Sequence, residues 1–220
     1  MGTGLTIRWA LKHDVYIGSR SMGRAEGVAS RLFNLARGFY QSDMEGSITG
    51  LLNKDAIGES EVVVVCFPPE ATIEAVSSLK PHISEDQIII STVVPMTREG
   101  RLFYFSPLDT GLNKSAAETI SDILEASSVV TAFQTVPAAY LNNIDAVLNL
   151  DVLIAGDDEL AVSLVSKLIW DIPNLRPLRV GPLNNSRFVE AITPLLLNAA
   201  ILNGLADPSI RIVPWIPQNI

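Results

Sequence analysis

The stretch Glu61–Phe67, with the sequence EVVVVCF, decides the fold class of this 220-residue chain. From Val62 onward it has no polar side chain for either face of a strand. Strands that are apolar on both faces are typical of parallel sheets covered by helices on both sides. We therefore predict a buried strand within an α/β fold.

Short apolar runs and helical patterns alternate along the chain on both sides of this strand. Further strands are predicted at Asp14–Ser19, Gln87–Val93, Val129–Val136, Asp151–Ala155 and Leu178–Val180. Helices are predicted at Arg24–Tyr40, Thr72–Leu79, Ser115–Ala126, Glu159–Trp170 and Asn185–Asn203. This order predicts a Rossmann-type doubly wound, mostly parallel sheet with a small C-terminal helical part. The predicted domains are residues 1–180 and residues 181–220.

The composition excludes several classes of function. A net charge of −8 and a pI near 4.7 argue against nucleic-acid binding, which needs a basic surface. No apolar run reaches the roughly 18–20 residues of a membrane span, so we expect no membrane association. A single cysteine, Cys66, fits a reducing compartment, and we expect a cytoplasmic protein. No spacing of His, Cys, Asp or Glu predicts a metal site.

The start of the chain differs from a complete Rossmann fold. Met1–Gly4 leads directly into a predicted helix with the sequence LTIRWALK, and no strand precedes it. Gly2 therefore corresponds to the last glycine of a phosphate-binding loop, while the first strand and most of that loop are missing. We expect the sequence to begin at an internal methionine. The missing strand would be the central one, so its absence is expected to leave two interior strand edges unpaired.

The end of the strand Asp14–Ser19 carries the residues that distinguish NADP from NAD. Ser19 and Arg20 follow the strand, Arg24 lies one helical turn further, and no acidic residue stands at the strand end. Arginine and serine donors suit a ribose 2′-phosphate, whereas a carboxylate would suit a free 2′-hydroxyl. The pattern favours NADP; a solvated Ser-Arg turn is the alternative.

Two further segments allow two interpretations each. Thr97–Lys114 is predicted to be irregular and is either a flap over a site or a surface insertion. The helix Phe188–Leu202 carries more apolar residues than one core-facing stripe requires. It is therefore either the surface of a homodimer or a helix buried inside the monomer.

A series of short sequence words runs along the whole chain. They are Gly18-Ser19-Arg20, Gly46-Ser47-Ile48-Thr49-Gly50, Val94-Pro95, Thr135-Val136-Pro137-Ala138-Ala139, Gly156-Asp157-Asp158, Leu175-Arg176-Pro177-Leu178, Gly181-Pro182-Leu183, Asn185-Ser186-Arg187, Glu190-Ala191-Ile192-Thr193-Pro194-Leu195 and Asn203-Gly204. Together they resemble the F420-dependent NADP reductase family, and their number and order make the match specific. The resemblance implies hydride transfer between NADP(H) and the deazaflavin coenzyme F420. It also implies that residues 1–180 bind NADP and that residues 181–220 close the cleft for F420.

The resemblance also implies which residues contact the two cofactors. On the NADP side these are Gly2, Ser19, Arg20, Arg24, Phe67, Pro68, Val94, Met96 and Ala138, with Ala138 close to the nicotinamide. On the deazaflavin side the weaker candidates are Ser47, Thr49, Val136, Asn203, Gly204 and Leu205.

No acid–base set accompanies these residues, and no catalytic side chain is predicted. Hydride transfer between two cofactors needs position and exclusion of water rather than a proton donor. Two alternatives stay open: an NADPH-dependent reductase of another acceptor, such as a ferric chelate or a flavin, and a non-catalytic NADP-binding protein.

Overall fold

The computed structural model describes residues 1–108, 113–125 and 128–214. The strands are β1 Val15–Ser19, β2 Ile48–Leu52, β3 Val62–Val65, β4 Ile88–Ser91, β5 Met96–Glu99, β6 Leu102–Phe105, β7 Ser128–Thr131, β8 Leu150–Gly156 and β9 Leu175–Arg179. The α-helices are α1 Gly2–Trp9, α2 Met22–Tyr40, α3 Asn53–Gly58, α4 Pro69–Leu79, α5 Ala116–Leu124, α6 Ala138–Asn142, α7 Glu159–Trp170 and α8 Ser186–Asn203. None of the described helices is long and apolar enough to cross a membrane.

The main sheet is divided into two pieces. β1 and β2 form a parallel pair, and a separate sheet has the order β3-β4-β7-β8-β9. All neighbours in the five-stranded sheet are parallel except β7 and β8. This confirms the predicted α/β, mostly parallel fold. It also confirms the expected pair of unpaired edges, since β1 and β3 each have one strand partner in the described chain.

Helices cover both faces of the sheet, as the all-apolar β3 predicts. One core joins α1, α6 and α7 to the five-stranded sheet, and another packs α4 and α5 against its opposite face. A third core joins α1 and α2 around Ile7 and Leu32. Helix α1 thus contacts both sheet pieces and connects them.

Helix α1 is held against α6 by close packing and by a buried arginine. A Cβ on Gly4 would lie 2.4 Å from the Cβ of Leu141, so only glycine permits this approach of the two helices. The Arg8 guanidinium donates to the backbone carbonyls of Tyr140, Leu141, Asn143 and Ala146 at 2.8–3.2 Å. These bonds satisfy carbonyls at the end of α6, which no helical partner reaches.

Helix α8 closes over the carboxyl ends of the strands. The buried carboxylate of Glu190 accepts N–H groups of Ala116 and Ala117 at the start of α5, at 2.9 and 3.1 Å. The Asn198 amide accepts the N–H of Phe103 and donates to its carbonyl. Phe188, Leu195 and Leu202 are at least 66% exposed, so this helix is not buried inside the monomer. The homodimer surface stays a prediction.

Several predicted elements require correction. Residues 97–105 are not irregular, because β5 and β6 form an antiparallel hairpin that reverses at Gly100, with φ of +60°. The part of this loop at 109–112 lies outside the described residues. The strand predicted at Val129–Val136 ends at Thr131, where the chain turns through Phe133 at φ of +73°. The elements β2, α3 and α6 were not predicted.

Candidate active site

The carboxyl ends of β1, β3, β4 and β7 form one edge of the molecule. Ser19 is the last residue of β1, and Phe67, Val94 and Gln134 come shortly after β3, β4 and β7, respectively. In open α/β sheets this edge is where ligands bind, because strands end and helices begin there. The candidate site extends along it from β1 to α6.

The corner at β1 carries two cations. Ser19 ends the strand and its Oγ accepts the N–H of Ser21, while Arg20 and Arg24 are exposed. Within the described residues neither guanidinium has a hydrogen-bond or ion-pair partner, and the first turn of α2 holds no acidic residue. The corner therefore offers unpaired donors beside a helix N-terminus, a combination that suits a phosphate monoester.

The middle of the edge lies where α1 begins. A Cβ on Gly2 would approach Cys66 to 3.7 Å, which places the start of α1 beside the end of β3. Burial raises the pKa of the Cys66 thiol, so the side chain is a neutral group here. Phe67 is half-buried and Pro68 is the N-cap residue of α4. Backbone and apolar atoms dominate this part of the site.

Two buried oxygen atoms lack hydrogen-bond partners further along the edge. Gln134 donates from Nε2 to the carbonyl of Ser91 at 2.8 Å, but its Oε1 and the Ser91 Oγ are unpaired within the described residues. An unpaired buried polar atom is costly, so such atoms mark places where a ligand or water completes the bonding. These two atoms give this part of the edge a polar anchor for a ligand.

The far end of the edge is built by the turn before α6 and by the chain that follows α8. Val136 is buried, Pro137 is the N-cap residue of α6, and Ala138 is its first residue. Thr193 of α8 donates to the carbonyl of Gln134 at 2.8 Å, and Ser209 donates to that of Thr135 at 2.7 Å. α8 and its extension therefore cover the turn that carries Val136 and Ala138.

The described residues contain no group of three or more His, Cys, Asp or Glu side chains arranged to hold a metal ion. The acids that follow β8 lie at the opposite edge, because β8 is antiparallel to β7 and Ser128, at the start of β7, donates to Asp158. Asp158 accepts the N–H groups of Leu160 and Ala161 as N-cap of α7, and Asp157 accepts the N–H of Leu183. Residues with conventional acid–base roles are therefore not concentrated here.

Comparison with known proteins agrees with this geometry. Residues 1–95 match the family model described as NADP oxidoreductase coenzyme F420-dependent. The F420-dependent NADP reductase of Methanocaldococcus jannaschii is 35% identical over 216 residues, covering 96% of this chain and 92% of that protein. That of Methanothermobacter thermautotrophicus is 31% identical, covering 96% of this chain and 89% of that protein. The chain belongs to the F420-dependent NADP reductase family.

A solved structure supports the fold of this F420-dependent NADP reductase family member. The crystal structure of a candidate F420-dependent NADP reductase from Arthrobacter sp. FB24 superposes with a TM-score of 0.74. It covers 97% of this chain and 96% of its own chain at 19% sequence identity. The shared architecture therefore extends over both the sheet and α8.

The structure brings most of the predicted residues to one edge. Those at or next to the carboxyl ends of the strands are Gly2, Ser19, Arg20, Arg24, Phe67, Pro68, Val94, Met96, Val136 and Ala138. Gly204 ends α8 with φ of +66°, and Leu205 begins the connection that returns to Thr135. The contacts predicted for these residues in the F420-dependent NADP reductase family stay predictions.

Ser47 is the exception among the predicted residues. It precedes β2 and is bonded through its N–H and Oγ to Asp14, at 3.0 and 2.7 Å. Asp14 precedes β1, and the two strands are parallel, so Ser47 lies at their amino ends. This is the opposite end of the strands from Ser19, and the structure does not bring Ser47 to the candidate site. Thr49, in the middle of β2, is also remote from that edge.

Ser91, Gln134 and Thr193 were not predicted as site residues. Thr193 was part of the sequence word Glu190-Ala191-Ile192-Thr193-Pro194-Leu195, which was quoted only for the family resemblance. Ser91 and Gln134 could have been found as polar residues near the ends of buried strands. Their special feature, unpaired atoms in a buried place, depends on contacts between distant parts of the chain.

Proposed function

We propose that this chain transfers hydride between NADP(H) and coenzyme F420. The observation that carries the proposal is the arrangement of the strand ends. Two exposed, unpaired arginines, Arg20 and Arg24, lie beside Ser19 at one end, and a turn covered by α8, with Val136 and Ala138, lies at the other. An extended dinucleotide needs such a spacing of a phosphate-binding corner and a sheltered pocket.

The residues at the β1 corner would select the phosphorylated form of the dinucleotide. Arg20 and Arg24 supply two positive charges in an exposed position, and Ser19 adds a hydroxyl. The absence of acidic residues from the first turn of α2 removes the repulsion that a 2′-phosphate would otherwise meet. The N-terminus of α1 at Gly2 would face the diphosphate.

The two cofactors supply the carbons that exchange hydride, and the protein positions them. The Ser91 Oγ and the Gln134 Oε1 would hold the carboxamide of the nicotinamide, which gives these buried atoms hydrogen-bond partners. Val94, Val136 and Ala138 are small, so two stacked rings can approach the backbone. Covering by α8, through Thr193 and Asn198, would exclude water from the rings.

This arrangement assigns a role to each part of the chain. Residues 1–180 would bind NADP, and residues 181–220, as far as they are described, would cover the F420 side. The two parts are bonded to each other directly where they meet, because Asp157 accepts the N–H of Leu183 and Asn185 donates to the carbonyl of Val180. Any movement of α8 would therefore change the shelter over Ala138 directly.

The experiment is a steady-state assay of F420 reduction by NADPH and by NADH, followed through the loss of deazaflavin absorbance. In the double variant Arg20→Ala with Arg24→Ala we expect kcat/KM for NADPH to fall about 10- to 100-fold. The reason is the loss of charge-assisted hydrogen bonds, each worth about 1.5–3 kcal/mol before solvent exposure is considered. The value for NADH is expected to change less than twofold.

Arg31→Ala is the matched control, because Arg31 is also an exposed arginine on α2 but lies two turns further from the strand end. Its kinetics with NADPH should equal those of the unaltered chain. An equal loss with NADPH and NADH in the double variant would contradict the 2′-phosphate role. Oxidation of NADPH by a flavin or ferric chelate, with none by F420, would select the other reductase class.

A further inference from the structure

The sequence word Leu175-Arg176-Pro177-Leu178 has no role in the hydride transfer proposed above. It supplies the first four residues of β9, the strand at one end of the five-stranded sheet. In the parallel register Arg176 lies opposite Asp151 of β8. Its Nε and Nη2 donate to the two carboxylate oxygens of Asp151, each at 2.8 Å. The two side chains therefore form a bidentate ion pair.

This ion pair is buried, since Asp151 is 0% and Arg176 is 4% exposed. Val152 and Ile154 pack in the same core as α7, so Asp151 points to the opposite face of the sheet. Removing two charges from water is unfavourable unless their other hydrogen-bonding atoms are also satisfied. The further bonds of the pair therefore show which part of the chain it serves.

The further bonds go to the backbone of residues 209–214, which follow α8 and which we call the strap. Asp151 Oδ2 accepts the N–H of Ile212 at 2.5 Å, and Arg176 donates to the carbonyl of Ile212 at 2.6 Å. The N–H of Asp151 donates to the carbonyl of Ile210 at 3.0 Å. This N–H is available because β8 pairs with β7 only through its last two residues. The ion pair thus holds the strap beside the first half of β8.

The strap is also bonded to the turn that carries Val136 and Ala138. Ser209 is the first residue of the strap, and its Oγ donates to the carbonyl of Thr135 at 2.7 Å. Thr135 and Val136 are each 3% exposed. The strap therefore connects the buried ion pair to the turn at the far end of the candidate site.

We propose that Asp151 and Arg176 are positioning residues for hydride transfer: by anchoring the strap, they fix the turn at residues 135–138, against which the two rings stack. This inference rests on the proposed function. The effect passes through the strap, since Ser209 supplies the bond to the turn. It matters for the rate because a displacement of about 1 Å between reacting groups costs on the order of 100-fold.

The kinetic test uses the double variant Asp151→Leu with Arg176→Met. Replacing both members of a buried ion pair by apolar residues leaves no unpaired charge, so we expect the chain to fold while the strap loses its anchor. In F420 reduction by NADPH we expect kcat to fall about tenfold or more and KM for F420 to rise about fivefold or more. KM for NADPH should change less than twofold, because the arginines at the β1 corner are unaltered. A merely structural role would lower the amount of active enzyme and leave both KM values unchanged.

Two variants of Ser209 test the connection while the ion pair stays intact. Ser209→Ala removes the hydroxyl that donates to Thr135 and is expected to raise KM for F420 and lower kcat, by less than the double variant does. Ser209→Thr keeps a hydroxyl and should restore both values. Kinetics of Ser209→Ala equal to those of the unaltered chain would overturn the inference, even if the double variant does not fold.

Arg179→Ala is the matched control for the loss of an arginine from β9. Arg179 is on the same strand, but it is exposed and its ion pair is with the exposed Glu159. Its kinetics with both substrates should equal those of the unaltered chain. A rise in KM for F420 in Arg179→Ala as large as that in the double variant would mean that any change in β9 disturbs the site, which would contradict a specific role of the strap.

Amide hydrogen exchange followed by mass spectrometry gives a readout without cofactors. We expect exchange at residues 133–138 to be about threefold faster or more in Ser209→Ala, without a change at Ile212, whose N–H stays bonded to Asp151. In the double variant both regions should exchange faster. Unchanged exchange of the turn in both folded variants would refute this inference alone. An unaltered chain that reduces no F420 would instead refute the proposed function, and with it the role in hydride transfer.

Discussion

β3 and β7 have the same kind of sequence but different surroundings. The central valine of β7, Val130, is fully buried, because β4 and β8 flank this strand and helices cover both faces. β3 has β4 on one side and an open cleft toward β1 on the other, and its Val62, Val63 and Val64 are only half-buried. The apolar pattern of a strand thus predicts that it lies inside the sheet, whereas the strands on its two edges determine how completely its side chains are buried.

The difference also shows how the molecule holds its two sheet pieces together. No strand joins β1 to β3 in the described chain, so the connection depends on α1, which packs against both. The stability of the β1–β2 piece should therefore respond to the attachment of α1 more than to changes on the strand edges. The predictions below test this difference.

The largest effect is expected from Arg8→Leu. This change removes the guanidinium that donates to four carbonyls around the end of α6, and it leaves the carbonyl of the buried Leu141 without that donor. We expect the free energy of unfolding to fall by about 3 kcal/mol or more. The measurement is urea denaturation followed by circular dichroism. Arg37→Leu is the control, because Arg37 is an exposed arginine with a single 3.5 Å contact to the Met44 carbonyl. Similar losses in both variants would mean that α1 is not the connection.

A smaller and directly matched effect compares valines in the two kinds of strand. Val130→Ala is expected to cost about 2 kcal/mol, because it removes two buried methyl groups and leaves a cavity. Val63→Ala is expected to cost less than about 1 kcal/mol, since this half-buried side chain lines the cleft between β1 and β3. Urea denaturation measures both. Equal costs would show that the cleft is closed in solution and would remove the difference between β3 and β7.

The buried strands of the main sheet were predictable because their local sequence pattern agrees with their tertiary environment. β2 was missed for a reason that only packing reveals. Gly50 interrupts its apolar run, yet a Cβ at this position would lie 2.3 Å from the backbone of Ala25 in α2. The β5–β6 hairpin had only a weak signal, because neither MTRE in β5 nor LFYF in β6 alternates apolar and polar residues, and Gly100 was interpreted as part of an irregular loop.

The candidate site was predictable where chemistry is local and unpredictable where it depends on distant contacts. Ser19 and Arg20 are adjacent at a strand end, so their residue types alone indicate a phosphate. Ser91 and Gln134 are 43 positions apart, and their unpaired oxygens are evident only once β4 and β7 are neighbours. Ser47 is the opposite case. The sequence word Gly46-Ser47-Ile48-Thr49-Gly50 implied that it lies near the site, whereas the parallel pairing of β1 with β2 places it at the amino ends of these strands.

The smallest expected effect is a pH dependence of stability that comes from Glu190 of α8. Burial raises the pKa of Glu190 to about 8, against the opposing effect of the two N–H groups that it accepts, and the nearby Glu118 raises it further. The unfolded chain has the ordinary value near 4.5. The folded state therefore binds the extra proton between these values, so this contribution to stability is fully present below about pH 4.5 and is lost as pH rises through 8.

We therefore expect the Glu190 contribution to the free energy of unfolding to fall by about 1–2 kcal/mol between pH 6 and pH 8. Glu190→Gln cannot ionise, so this part of the pH dependence should disappear even though the variant is less stable at pH 6 for lack of a second acceptor. Urea denaturation at both pH values, compared between the two chains, gives the difference. The same loss in both chains would assign the titration to other groups. Since Glu190 joins α8 to α5 and not to β1 or β3, amide hydrogen exchange in β1 and β3, corrected for the intrinsic pH effect, should not follow this titration.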